Sequence, residues 1–187
     1  MRYSPHQTPI DLASVRSTLD RIAASGDEMT AEAVPILTAL VAFENARGAS
    51  VYNYNWGNIT TDNPSDPHFV FPGNPRMFLQ FPDHATGAMA LVQRLARSPT
   101  HRRMLDAANK GDVPAFVRGM TTPSPETGMM YCDTCETATT LRAYRSLVDE
   151  LRGRRAAPRG GGLGLEIAMA FLVPIATVAV AAWRTLK

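Results

Sequence analysis

Cysteine is scarce in this chain of 187 residues, and the two present, Cys132 and Cys135, form a single CxxC. That count excludes a disulfide-built scaffold, and a four-cysteine zinc site is missing as well. A local disulfide, two free thiols or half of a shared metal site remain open, the first two being favoured. Charge of one sign is also lacking: the formal net charge of +2 is too small for nucleic acid to be the main partner. The N-terminal MRYSPHQTPIDLASV has no apolar core of the secretory kind. No internal repeat is visible, and no cluster of ligating side chains calls for a metal or an organic cofactor. With 45% apolar and 19% charged residues the chain is nevertheless globular, with room for one ordinary domain and extras.

What is abundant is helical patterning. Leu12, Val15, Leu19 and Ile22 give Asp11 to Ser25 one apolar face. Thr30 is the expected cap of a second helix that ends before Gly48. His68 to Phe71 and Met77 to Phe81 flank PGNP as a short β-hairpin. Asp83 caps a helix to about Ala96, and Ser98-Pro99 opens another that ends near Gly111. Asp112 starts a short helix through Val117, and after a loop from Thr121 to Thr134 a last helix runs from about Glu136 to Arg152. The expected organisation is an N-terminal arm and amphipathic helix over 1–29, a mainly α domain with a small hairpin over 30–152, an Arg/Gly/Pro linker over 153–162, and a hydrophobic tail helix over 163–187. Ile167 to Trp183 carries no charge over 17 residues, so the tail reads as a transmembrane helix, with a helix buried in an oligomer as the alternative.

The second helix raises a chemical question. In ILTALVAFENARGASVYNYNWGNIT, apolar residues surround almost the whole helix, and Thr38, Ala42 and Asn45 are left for a wetter face. Yet the helix ends on Glu44, beside Leu37, Leu40 and Val41. Desolvation and the exposed carbonyls of a helix C-terminus both disfavour a carboxylate there. A glutamate held protonated near neutral pH suits general-acid cleavage of a glycosidic bond. The bland alternative is a Glu44 that reaches solvent or pairs with Arg47. Tyr54, Asn55, Trp56 and Asn58 follow at once, offering aromatic faces for sugar rings and amides for N-acetyl groups, or else an ordinary polar loop with one Trp plugging the core.

ALVAFENARGASVYNYNWGNIT resembles the catalytic core of the lysozyme-like superfamily, in particular the glucosaminidase and lytic-transglycosylase group of peptidoglycan hydrolases. There a helix ends on the catalytic Glu, a Gly/Ser turn follows, and an Asn/Gly segment lines the cleft. Glu44 matches the acid, Gly48 and Ser50 the turn, and Asn55, Gly57, Asn58 and Ile59 the cleft segment. MFLQFPDHATGA, from Met77, is similar to the hairpin strand and helix start downstream, and Tyr131, Tyr144 and Leu147 look like the closing segment, whose Tyr reaches back to the Glu. The likeness spans about Ala31 to Leu151. It implies an α+β lysozyme-like fold, Glu44 as general acid and base, and substrate contacts from Tyr54, Asn55, Trp56, Asn58, Phe81 and Tyr131. The group's Glu-Ser pair is Glu44-Asn45 here, and the second carboxylate of a hydrolase is not evident, with Asp62, Asp66 and Asp83 in plausible regions. A lytic transglycosylase needs none, so that chemistry is favoured.

The implied partners are peptidoglycan glycan strands, a membrane through 163–187, and virion proteins or copies of this chain, with no specific nucleic acid recognition and no cofactor. Arg152, Arg154, Arg155 and Arg159 precede the tail while Arg184 and Lys187 follow it. The positive-inside rule would leave the domain in the cytoplasm, away from any wall. A protein carried in a phage virion and delivered to the bacterial envelope during genome entry escapes that conflict. The contrasting expectation is a structural or channel-forming virion protein whose lysozyme-like domain binds peptidoglycan without cleaving it.

Overall fold

A computed structural model describes residues 1–26 and 28–153. The expected tail helix over 163–187, and all but the first residue of the linker, lie outside the described residues. Among the described residues, no helix is long and apolar enough to cross a membrane.

The described chain is mainly helical, with six helices and one small sheet. The helices are α1 (Leu12–Ser25), α2 (Ala33–Glu44), α3 (His84–Arg97), α4 (Arg102–Asn109), α5 (Val113–Thr121) and α6 (Thr137–Leu151). Aspartates supply three of the starts: Asp11 accepts from the Ser14 amide, Asp83 from Thr86 and Asp112 from Ala115, each satisfying an amide that the helix leaves unpaired. Glu136 does the same for Ala138 and Thr139 at α6. Two starts differ from the sequence reading. Thr30 does not cap α2; its hydroxyl donates to the Asn109 carbonyl at 3.0 Å, tying the approach to α2 against the end of α4. Pro99 does not open α4, because the Ser98 carbonyl accepts from both His101 and Arg102 and delays the helix to Arg102. Moreover, α5 runs four residues beyond Val117, to Thr121.

The sheet has the order β1-β3-β4-β2, with β1 (Arg2–Tyr3), β2 (Thr60–Thr61), β3 (His68–Phe69) and β4 (Met77–Leu79). The expected hairpin is β3–β4, in antiparallel register with His68 opposite Leu79 and Phe69 opposite Phe78. Phe69 and Phe78 stack at 5.6 Å, which gives the short hairpin an apolar face. The two outer strands were not foreseen, since two residues carry no periodicity.

At the centre lies α2, packed against α1, α4 and α6. Every residue from Ala33 to Ala42 is buried, so the wetter face expected of Thr38, Ala42 and Asn45 does not exist. Its polar groups are satisfied inside. The Thr38 hydroxyl donates to the Val34 carbonyl at 2.8 Å, and the Asn45 amide donates to Val41 and Trp56. Since neighbours enclose α2 on all sides, it is a rigid stem, and Glu44 is its tip.

Candidate functional site

Beyond Glu44 the chain must leave the core at once. It does so through a tight turn in which Ala46, Arg47 and Gly48 all have positive φ. A Cβ on Gly48 would lie 2.0 Å from the Ile10 carbonyl oxygen, so only glycine fits. Arg47 is drawn outward to Glu150 on α6, at 3.2 Å, and does not pair with Glu44.

The segment after the turn is a hydrogen-bonded hub. The side chain of Asn53 accepts from the His6 amide at 2.9 Å and donates to Gln80 at 2.8 Å. Asn55 accepts from the Ile59 amide at 2.8 Å and donates to the carbonyls of Ile59 and Leu79, each at 2.9 Å. Trp56 is fully buried, its indole N–H donating to His84 Nδ1 at 3.0 Å. These bonds lock the loop so that Gly57, Asn58, Ile59 and Thr60 face an open cleft of about 310 Å³.

Glu44 lies in that cleft. Leu91, Arg94 and Leu95 line it from α3, Arg76 from the β3–β4 hairpin, His101 from the start of α4, and Tyr131, Cys132 and Asp133 from the α5–α6 loop. Cys132 and Cys135 form a disulfide, with Cα atoms 5.5 Å apart, and thus close the loop beside Tyr131. Tyr131 meets His101 edge to face at 5.2 Å.

The electrostatics follow from enclosure. Glu44 is only partly covered, as a cleft-lining side chain must be. Burial pushes its pKa above the ordinary glutamate range, while hydrogen bonding from Asn58 and Tyr131 opposes that rise without cancelling it. The Tyr131 hydroxyl is pushed well up by burial, by the Glu44 charge and by its hydrogen bond to Glu44. Tyr144 lies behind, its hydroxyl buried without a hydrogen-bond partner and its pKa raised by burial and the same charge. His101 is held down to about 4 by burial and by Arg94 and Arg103, so it is neutral at physiological pH.

The residues singled out from sequence divide sharply. Glu44, Asn58 and Tyr131 come together on the cleft. Asn55 and Trp56 are buried in the hub behind it, Tyr54 packs edge-on against His84 at 4.9 Å, and Phe81 is half-buried with its N–H on the Asn53 carbonyl. None of these four lines the cleft. Of the carboxylates considered as a second group, Asp62 is exposed, Asp66 accepts from Thr61 at 2.6 Å and Asn63 at 3.0 Å, and Asp83 caps α3; all three are absent from the lining. The carboxylate that does line the cleft is Asp133, which together with Arg76, Arg94 and His101 was not anticipated.

Among the described residues no group of three or more His, Cys, Asp or Glu side chains is placed to hold a metal ion. The cleft thus brings together a carboxyl whose charged form burial disfavours, the side chains of Asn58 and Tyr131, a second carboxylate in Asp133, and two arginines. In comparisons with protein-family models, curated proteins and solved structures, nothing matched this chain.

Proposed function

We propose that the chain is a peptidoglycan-degrading enzyme that cleaves the β-1,4 bond between amino sugars, with Glu44 as general acid and then base. The observation that carries this reading is the Glu44 carboxyl, desolvated at the tip of a buried helix, open to a cleft and faced by Asn58 and Tyr131. The likeness of Glu44 to Ile59 to the lysozyme-like group supports it.

In the favoured chemistry, that of a lytic transglycosylase, the Glu44 proton passes to the glycosidic oxygen as the C1–O bond breaks. Positive charge develops on the sugar ring. Its own 6-hydroxyl attacks C1, and the hydroxyl proton returns to the Glu44 carboxylate. No water is consumed, and the product carries a 1,6-anhydro end. Asp133 on the same cleft favours a second chemistry, in which a carboxylate activates water. An inverting hydrolase holds its two carboxyls roughly 6.5–9.5 Å apart for that purpose.

The setting we infer is the bacterial envelope, with the apolar 163–187 stretch at a membrane and delivery by a virion during phage genome entry. The test is incubation of purified chain with peptidoglycan sacculi, followed by mass spectrometry of the soluble fragments. Anhydro ends support the transglycosylase and reducing ends the hydrolase. A chain that binds sacculi yet releases nothing would be a binding or channel-forming protein instead.

A further inference from the structure

The cleft holds two guanidinium groups, Arg94 in the last turn of α3, where a cation also suits the helix C-terminus, and Arg76 on the hairpin. Arg94 belongs to the α3 face that carries Leu91 and Leu95, at i, i+3 and i+4 spacing. The two leucines are buried, so Arg94 is the exposed outer edge of a face turned to the cleft. It shares the cleft lining with Tyr131 and His101. Arg76 reaches the same cleft from the hairpin and is likewise exposed. Among the described residues the ion pair is Arg47–Glu150, and neither Arg76 nor Arg94 meets a carboxylate at contact distance, not even Asp133 across the cleft. By contrast, Arg103 nearby is consumed by carbonyls of Gly119, Thr122 and Pro123.

Charge decides what such a cleft prefers. His101 is neutral, so the two arginines face the carboxyls of Asp133 and Glu44, and burial disfavours the charge on Glu44. A neutral glycan offers guanidinium groups only uncharged hydroxyl and acetamide acceptors. A carboxylate gains a planar, forked donor. We propose that Arg76 and Arg94 form a carboxylate-binding subsite, so that the cleft selects an acidic glycan over a neutral one with the same backbone. This rests on the glycan-cleaving reading above. In peptidoglycan the carboxylate comes either from the stem peptide or from the lactyl group of a muramic residue that has lost its peptide.

The experiment uses the full chain in non-ionic detergent with Glu44→Gln, so that the glycan is not consumed during binding. Sedimentation measures affinity for intact sacculi, for sacculi with carboxyls converted to neutral methylamides, for strands stripped of peptide by an amidase, and for chitin. Methylamide conversion should weaken binding roughly tenfold, and chitin should bind as weakly as the converted sacculi. Arg76→Gln with Arg94→Gln should lose the same factor on intact sacculi and nothing on converted ones, and Lys at both positions should restore part of it. Tighter binding to intact sacculi than to stripped strands assigns the peptide carboxylate, and the reverse assigns the lactyl group. Equal binding to intact sacculi, converted sacculi and stripped strands overturns the subsite, and those arms need no arginine variant to fold. Failure of the enzyme reading shows separately, as wild-type chain that binds by charge but releases no fragments; a chain that binds none of these glycans overturns both.

Discussion

Tyr131 and Glu44 line one cleft, and the two groups pull each other's protonation in opposite directions. The Glu44 charge makes Tyr131 harder to ionise. The Tyr131 donor makes Glu44 easier to ionise, and so tempers a rise that burial would otherwise leave larger. Tyr131→Phe removes the donor, so the Glu44 pKa should climb further and the alkaline limb of activity should move to higher pH. The rate should also drop by roughly ten- to a hundredfold, because the anion formed during catalysis loses a hydrogen bond. A pH–rate profile checks both, and an unmoved alkaline limb would separate the two residues.

Glu44 should also mark the pH dependence of stability. Below the ordinary value of 4.5 both folded and unfolded chains hold this proton, and burial costs nothing. As pH rises past 4.5 the unfolded chain releases it while the folded chain keeps it, so stability falls until the raised folded value is passed. Glu44→Gln lacks that slope. It should melt at or above wild type at neutral pH and the gap should close toward pH 4, as read by thermal melts across the range.

His101 acts with the opposite sign. Its folded value of about 4 lies below the ordinary 6.5, so as pH falls through that window the unfolded chain gains a proton that the folded chain refuses. Stability is complete above 6.5 and declines toward 4. Measured in the Glu44→Gln background, where the competing slope is gone, His101→Gln should flatten this decline. An unchanged slope would place the acid sensitivity elsewhere.

The disulfide should matter more to the cleft than to the fold. Cys132 and Cys135 are 3 apart in sequence, and closing so short a loop restrains the unfolded chain by only about 2 kcal/mol. But Cys132 is next to Tyr131, and its amide is held by the Met120 carbonyl at 3.0 Å. Dithiothreitol, or serine at both positions, should lower the melting temperature modestly and depress activity more steeply. Equal activity of oxidised and reduced protein would show that Tyr131 is placed without the bridge.

Trp56 separates packing from substrate contact. Trp56→Phe strips the donor from His84 and leaves space in the core, which should cost roughly 1–3 kcal/mol of stability. KM should stay near wild type, since the ring does not line the cleft. A raised KM with unchanged melting temperature would mean that the indole contacts sugar after all.

Trp56 also shows what a sequence of this kind conceals. Alternating aromatics and amides suit a sugar-binding strip, and they suit equally a hub in which Asn53 and Asn55 replace missing strand hydrogen bonds. Only tertiary packing separates the two. Glu44 was legible because its setting is local: Leu37, Leu40 and Val41 lie within two turns of it on one helix. The hairpin and four of the helix starts were legible for the same reason, through turn residues and side-chain caps. Arg76, Arg94 and Asp133 come from three segments far apart in the chain, and no pattern within any one of them announces the meeting. The wetter face assigned to α2 failed similarly, because a helix surrounded by three others has no outside.

The account stands most directly on the release of soluble glycan from purified sacculi by wild-type chain and by Glu44→Gln, side by side, with melting curves for both. The expected result is steady release by wild type and a fall of at least about a hundredfold in the variant, whose fold melts no lower. Release by Glu44→Gln at a rate close to wild type would contradict it.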